Sequence, residues 1–181
     1  MKTAIELLPG ALHIPLPRFS DARGSFVKTH QEVALNGLGI EFKLAEEFYS
    51  ISHKDVIRGM HFQLPPDDHD KIVYCPRGRI LDVLLDLRAG VNYGQVRSVE
   101  LDSEKPAILF IPRGIAHGFK SLTDDSLMVY KTSTEYAPQS DAGIHFQSIG
   151  FDWQCEYPIV SDRDNGHPSF ESFSTPFGLG K

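Results

Sequence analysis

Fifteen glycines and twelve prolines are scattered through this chain as punctuation, and between them lie only short apolar or alternating runs. Both residues break regular structure, so long elements do not survive such spacing. Runs at 57–64, 71–74, 79–87, 107–111 and 126–132 read as strands. One helix pattern stands out, at 31–38, with Val33, Leu35 and Leu38 apolar and Gly37 and Gly39 ending it. Many short strands separated by turn signals predict an all-β sandwich or barrel, most simply a jelly roll with a few short helices. A chain of 181 residues suits one domain, 1–181, with a sizeable core. The polar tail from about residue 162, rich in phenylalanine and proline, is expected to wrap over the surface or a partner.

Charge and cysteine usage narrow the function. A net charge of -6 argues against general nucleic-acid binding. It leaves room for a small anionic ligand, because a pocket can be basic on an acidic surface. Cys75 and Cys155 lie far apart, show no metal-ligand spacing, and read as thiols in a reducing cytosol. The first ten residues lack the apolar core and cleavage site of a signal peptide. No stretch approaches the ~20 apolar residues of a membrane span. The expectation is a cytoplasmic protein with neither membrane nor nucleic-acid partners.

Two segments point to a shared pocket: Arg58-Gly59-Met60-His61-Phe62-Gln63 and Pro112-Arg113-Gly114-Ile115-Ala116-His117-Gly118-Phe119. Each sets a histidine and a basic residue among apolar neighbours, and taking such groups out of water is costly unless something offsets it. Strict strand alternation would point Arg58 and His61 to opposite faces. Either Gly59 permits a bulge that re-aims one of them, or Arg58 reaches around the strand end. On the run 79–88, Leu81, Val83, Leu85 and Leu87 share one face; Ile80, Asp82, Leu84, Asp86 and Arg88 share the other. The mixed second face suits either a ligand-cavity wall or a half-solvated outer strand.

The chain resembles the dTDP-4-dehydrorhamnose 3,5-epimerase family. The resemblance rests on Asp21-Ala22-Arg23-Gly24-Ser25-Phe26, the stretch from Val56 to Pro66, Asp70-Lys71-Ile72-Val73, Asp82-Val83 with Asp86-Leu87-Arg88, the stretch from Ile111 to Phe119, Tyr130-Lys131-Thr132 and Ser161-Asp162-Arg163-Asp164. One such motif would be weak, but seven in order are specific. The resemblance implies a cupin-type jelly roll, a homodimer, no metal or other cofactor, and action on a nucleotide-diphosphate 4-keto-6-deoxy sugar in cell-surface polysaccharide or glycoside synthesis.

The residue types fit that chemistry. A ketone acidifies the hydrogens on its two neighbouring carbons, so inverting those centres needs a base, an enolate stabiliser and an acid on the opposite face. His61 suits the base, since histidine's unperturbed pKa of ~6.5 allows a neutral ring at working pH. By resemblance Asp164 orients it, Lys71 holds the enolate oxygen, and Tyr130 supplies the proton from the other side. The resemblance also implies that Arg58 and His117 contact the diphosphate, Arg23 and Gln63 help hold the substrate, Phe26 stacks on the base, and Tyr136 lines or closes the sugar pocket. Taken singly, each has a plainer explanation in packing, a turn or a surface charge.

The chain also departs from the family. Lys28 stands where many relatives carry a glutamate that can accept a hydrogen bond from thymine. Lysine only donates, which suits the unprotonated N3 of cytosine, so the nucleotide is expected to be CDP unless Lys28 points to solvent. Glu46-Glu47-Phe48-Tyr49 occupies the place of a Gln-x-Asn pair, and the stretch 145–153 is altered. These changes bear on the substrate and on whether one or both centres are inverted. A metal-dependent cupin is the chemical rival, because His61-Phe62-Gln63 approximates a His-x-His element. The glutamine and the nearby Lys71 weigh against a divalent cation there. A non-catalytic nucleotide-sugar binding protein would be expected to lack one of the four acid–base groups.

Overall fold

The protein is described as a computed structural model covering residues 3–178; the ends of the chain, including the last three residues of the tail, lie outside the described residues. Thirteen strands follow in chain order: β1 (Ile5–Leu8), β2 (Ala11–Pro15), β3 (Arg18–Asp21), β4 (Gly24–Val27), β5 (Glu46–Ser52), β6 (Ile57–Gln63), β7 (Lys71–Arg77), β8 (Arg79–Asp86), β9 (Val96–Asp102), β10 (Ala107–Ile111), β11 (Ile115–Ser121), β12 (Ser126–Thr132) and β13 (Asp141–Gly143). Six form one sheet in the order β1-β2-β10-β7-β12-β5, and five form a second in the order β13-β6-β11-β8-β9. The pairings within both are antiparallel. This is the expected all-β jelly-roll sandwich. β3 and β4 make a separate hairpin.

Three apolar layers explain the strand sequences. Between the sheets, Val73, Leu109 and Ile111 of the larger meet Ile80, Leu84 and Phe119 of the smaller. Alternation along β10 sends Ile108 and Phe110 to the outer face, where Leu35 and Ile40 cover them. Alternation along β8 likewise sends Val83 and Leu85 outward, into a layer with Trp153 and Phe177. Both sheets are therefore apolar on two faces, which is why their central strands read as near-continuous hydrophobic runs.

The helix falls inside its expected span. Helix α1 (Glu32–Asn36) buries Leu35, and Gly37 follows as its cap with Gly39 at a φ of 76°. Val33, expected on the apolar face, is instead 87% exposed, because one turn against a sheet leaves room for one inward residue. The tail wraps this chain's own smaller sheet: helix α2 (Asp162–Asn165) leads into Phe173 and Phe177, whose rings meet Phe62 edge-on at 5.4 and 6.0 Å. Among the described residues no helix is long and apolar enough to cross a membrane.

The mixed face of β8 neither walls the cavity nor meets solvent. Ile80, Asp82 and Leu84 are fully buried between the sheets, and Asp86 is buried with Arg88 donating to its carboxylate at 2.6 Å. Asp82 lies one layer beneath the cavity, behind His117.

The Arg58–His61 difficulty resolves as a bulge. His61 faces His117 and Arg58 faces Phe119, so three steps along β6 span two along β11. Gly59 makes this possible, with a φ of 136°, a region L side chains rarely adopt. A Cβ on it would lie 2.5 Å from the Gly118 Cα. Gly59→Ala is therefore expected to lower stability by about 2 to 4 kcal/mol, read from urea unfolding, because strain and backbone overlap add.

Candidate active site

A cavity of about 360 Å³ opens between the sheets. Arg58, His61 and His117 approach it from the smaller sheet, and Lys71 and Tyr130 from the larger; Tyr136, Asp141 and Arg163 border it as well. A second hollow of about 340 Å³ shares Arg58, His61 and Arg163 with the first and is bounded by Ser161 and Asp164.

His61 is oriented by Asp164. Its Nε2 lies 2.7 Å from Asp164 Oδ1, and the Gly59 N–H donates to Oδ2 at 3.0 Å. Asp164 is placed by α2, whose N-cap Ser161 hydroxyl accepts from the Asp164 N–H. Burial pushes the Asp164 carboxyl up, but hydrogen bonds from His61 and Gly59 and the nearby histidines outweigh it, leaving it below the usual carboxylate range. Asp164 is thus an anion fixed behind the imidazole. Among the described residues, His61 Nδ1 makes no hydrogen bond.

The opposite wall carries the other two groups. Lys71 is buried and donates to the His61 carbonyl at 3.3 Å. Burial lowers its ammonium to about 8, opposed by the carboxylates of Asp141 and Asp82. Tyr130 sits beside it on β12, its hydroxyl 3.4 Å from Ser50 Oγ and its ring stacked on Phe48 at 4.7 Å and 12°. Burial drives its phenol well above the ordinary tyrosine value, so it keeps its proton at neutral pH.

His117 belongs to a second histidine–aspartate pair. Its Nε2 lies 2.8 Å from Asp82 Oδ2, both side chains are buried, and its ring meets Tyr130 edge-on at 6.1 Å. Burial raises the Asp82 carboxyl against the pull of His117, Lys71 and His13, and its other oxygen has no hydrogen-bond partner among the described residues.

The remaining expected residues divide. Tyr136 borders the cavity, 58% exposed, with its hydroxyl donating to Asp141 at 3.3 Å. Gln63 borders it too, but its amide nitrogen donates to the Asp67 carbonyl at 2.7 Å and its oxygen accepts from Ala137 N–H at 2.7 Å. Its amide therefore also positions the loop bearing Tyr136. Arg23, Phe26 and Lys28 lie outside the cavity. Arg23 is exposed and paired with Asp21 at 2.6 Å, and Phe26 is 58% exposed on the β3–β4 hairpin. The β3–β4 hairpin that carries Arg23 and Phe26 stands apart from both sheets.

Glu46 and Phe48, from the stretch that departs from the family, border the cavity, whereas Asp141, His69 and His167 were not anticipated. Glu46 accepts from the Tyr136 N–H at 2.8 Å. Burial, with help from Lys71 and Arg113, lowers His69 to about 3, so it is neutral. His167 follows Asp164 by three residues, a spacing too common to single it out in the sequence. The ligand atoms of His61, Asp164 and His167 lie within 4.8 Å of one another, a set that can attract a divalent cation. The 2.7 Å His61–Asp164 separation is instead that of a hydrogen bond, and Arg58, Lys71 and Arg163 bring positive charge to the same cavity.

A jelly roll with a histidine–aspartate pair on one wall of a cavity and an ammonium and a phenol on the other is the arrangement expected of a carbohydrate epimerase, and the relatives are isomerases of that class. The family model for dTDP-4-dehydrorhamnose 3,5-epimerase matches residues 6–172. A Methanothermobacter thermautotrophicus enzyme of that name is 37% identical over 170 residues, covering 91% of this chain and 90% of its own. The crystal structure of the Sulfolobus tokodaii enzyme aligns with a TM-score of 0.90 at 33% identity, covering 96% and 97% of the two chains. A Legionella pneumophila 3,5-epimerase, solved in complex with dTDP-4-keto-L-rhamnose, aligns with a TM-score of 0.92 at 27% identity, covering 98% and 99%. The chain belongs to the dTDP-4-dehydrorhamnose 3,5-epimerase family.

Lys71 generates a pH dependence. Its folded value of about 8 lies below lysine's ordinary 10.5, so between these the unfolded chain holds more protons and folding stability rises with pH. The family resemblance assigns the ammonium to an enolate oxygen, and on that assignment turnover is expected to fall as pH rises past about 8 while stability gains. Parallel pH–rate and pH–unfolding profiles check the opposed slopes.

Proposed function

We propose that this cavity binds a dTDP-linked 4-keto-6-deoxyhexose and inverts both carbons flanking its ketone. The observation that carries the reading is the placement of His61–Asp164 and Lys71–Tyr130 on opposite walls of one cavity. Asp164 occupies Nε2 of His61, leaving Nδ1 to take a proton from carbon. The resulting imidazolium donates Nε2–H to the carboxylate behind it. The Lys71 ammonium holds the enolate oxygen as charge develops there. Tyr130 returns a proton from the other face, and the phenolate is reprotonated before the next turnover. Because one ketone acidifies both neighbours, the same groups serve both centres. The net reaction removes and returns protons and calls for no redox cofactor. Arg58 and His117 hold the diphosphate, a role the planar guanidinium suits.

The exposed hairpin supports a homodimer in which Arg23, Phe26 and Lys28 meet the nucleotide in the partner's cavity. An apolar ring exposed beside Phe19, also 60% exposed, gains from being covered. Mixed dimers of His61→Asn and Arg23→Ala subunits, each inactive or weak alone, are expected to regain up to half of wild-type activity. No recovery would place Arg23 outside a shared site. The names of the relatives carry dTDP, so tighter binding of dTDP than CDP is expected; the reverse would restore the cytosine reading of Lys28.

His61→Asn is expected to lose at least about 10³-fold in solvent-proton exchange while dTDP binding and unfolding remain near wild type. In heavy water, the wild-type enzyme is expected to place deuterium on both carbons beside the ketone, read by NMR. Label at one carbon would reduce the activity to a single inversion, and retained exchange in His61→Asn would remove His61 as the base.

A further inference from the structure

One buried imidazole beside the base has no assigned part. His167 Nε2 is buried without a hydrogen-bond partner among the described residues. An unsatisfied buried donor or acceptor costs about 1–3 kcal/mol, so its position calls for a reason. The nitrogen lies 3.6 Å from Asp164 Oδ1, the oxygen that also meets His61, and its ring stands edge-on to the His61 ring at 5.7 Å and 74°. The space is made by Gly143, which pairs with His61 across β13 and β6. A Cβ on Gly143 would lie 2.3 Å from His167 Nε2. The loop is fixed from below, because the His145 N–H donates to the Pro168 carbonyl at 2.8 Å.

We propose that His167 is a positioning residue for the base: seated on Gly143, it shares the Asp164 carboxylate with His61 and limits how tightly that carboxylate holds the His61 imidazolium. This rests on His61 acting as the base. A few tenths of an ångström of closure turns the 3.6 Å approach into a hydrogen bond from the His167 Nε2–H. The carboxylate then divides its charge between two donors. The imidazolium formed on proton abstraction is held firmly enough to form and loosely enough to release its proton. The charged groups facing His167 are Asp164 and Arg163 on α2, His61 on β6 and Asp141 on β13. Burial keeps His167 below the ordinary histidine value, with His61 opposing its protonation further, so it acts as a neutral donor.

The test is the acid limb of the kcat/KM–pH profile in His167→Ala and His167→Gln. Alanine removes the donor, and the limb is expected to move up by about 0.5 to 1 pH unit, with the plateau at higher pH within about threefold of wild type. Glutamine supplies an amide N–H and is expected to bring the limb back toward wild type. An NMR titration of the His61 ring without substrate, following the same upward movement in His167→Ala, reads the effect independently of turnover. If the ring and the limb stay where they are while activity merely drops, His167 is structural and the proposal fails; movement downward overturns it equally. Failure of His61 as the base would appear instead as retained exchange in His61→Asn, whatever His167 does.

Discussion

The site depends on one hydrogen bond that joins residues 103 positions apart in the chain, from the His61 imidazole to the Asp164 carboxylate. Neither partner is useful alone: an unheld imidazole samples many orientations, and a buried carboxylate without donors is costly. Joining them requires the whole fold. The bulge at Gly59 turns His61 to the cavity while its own N–H satisfies the second carboxylate oxygen. The tail then brings α2 against β6, and Phe173 and Phe177 anchor it on the outer face of the smaller sheet. Tail packing is therefore part of the chemistry, although those two rings lie on the far side of the sheet from the cavity.

Charge burial is the second organising theme. Asp82, Lys71, His117 and Asp164 are all at most 9% exposed, in a region whose other occupants are Ile, Leu, Val and Phe. Such groups persist only because each faces another: Asp82 faces His117, Lys71 lies in the field of Asp141 and Asp82, and Asp164 faces His61. Burial weakens the hold of Lys71 on its proton and strengthens that of Tyr130, two opposite displacements with one cause, while Asp141 and Asp82 oppose the first.

Much of this was legible in the chain. The five strongest strands and the single-turn helix follow from the spacing of apolar residues between glycines and prolines. The joint presence of His61, Lys71, Tyr130 and Asp164 follows from resemblance across ordered motifs. β8 misled because Asp82 and Asp86 in a leucine run look like solvent or ligand contacts, and only tertiary structure reveals the buried partners His117 and Arg88. The role of Gln63 was hidden for the same reason, since nothing local says that its amide meets Ala137, 74 residues away. Arg23 and Phe26 fit the family pattern, yet a single chain leaves them outside its own cavity. His167 escaped because one histidine three residues beyond an aspartate is too common a spacing to signal anything.

The stacking of Phe48 on Tyr130 ties the shielding of the phenol to a single strand. β5 is the outermost strand of its sheet, hydrogen-bonded to β12 on one side only, and edge strands are the first to fray. While β5 stays paired with β12, the Phe48 ring covers one face of the Tyr130 ring, and were that pairing to open the cover would leave with it. The shelter of this phenol is thus only as durable as an edge strand.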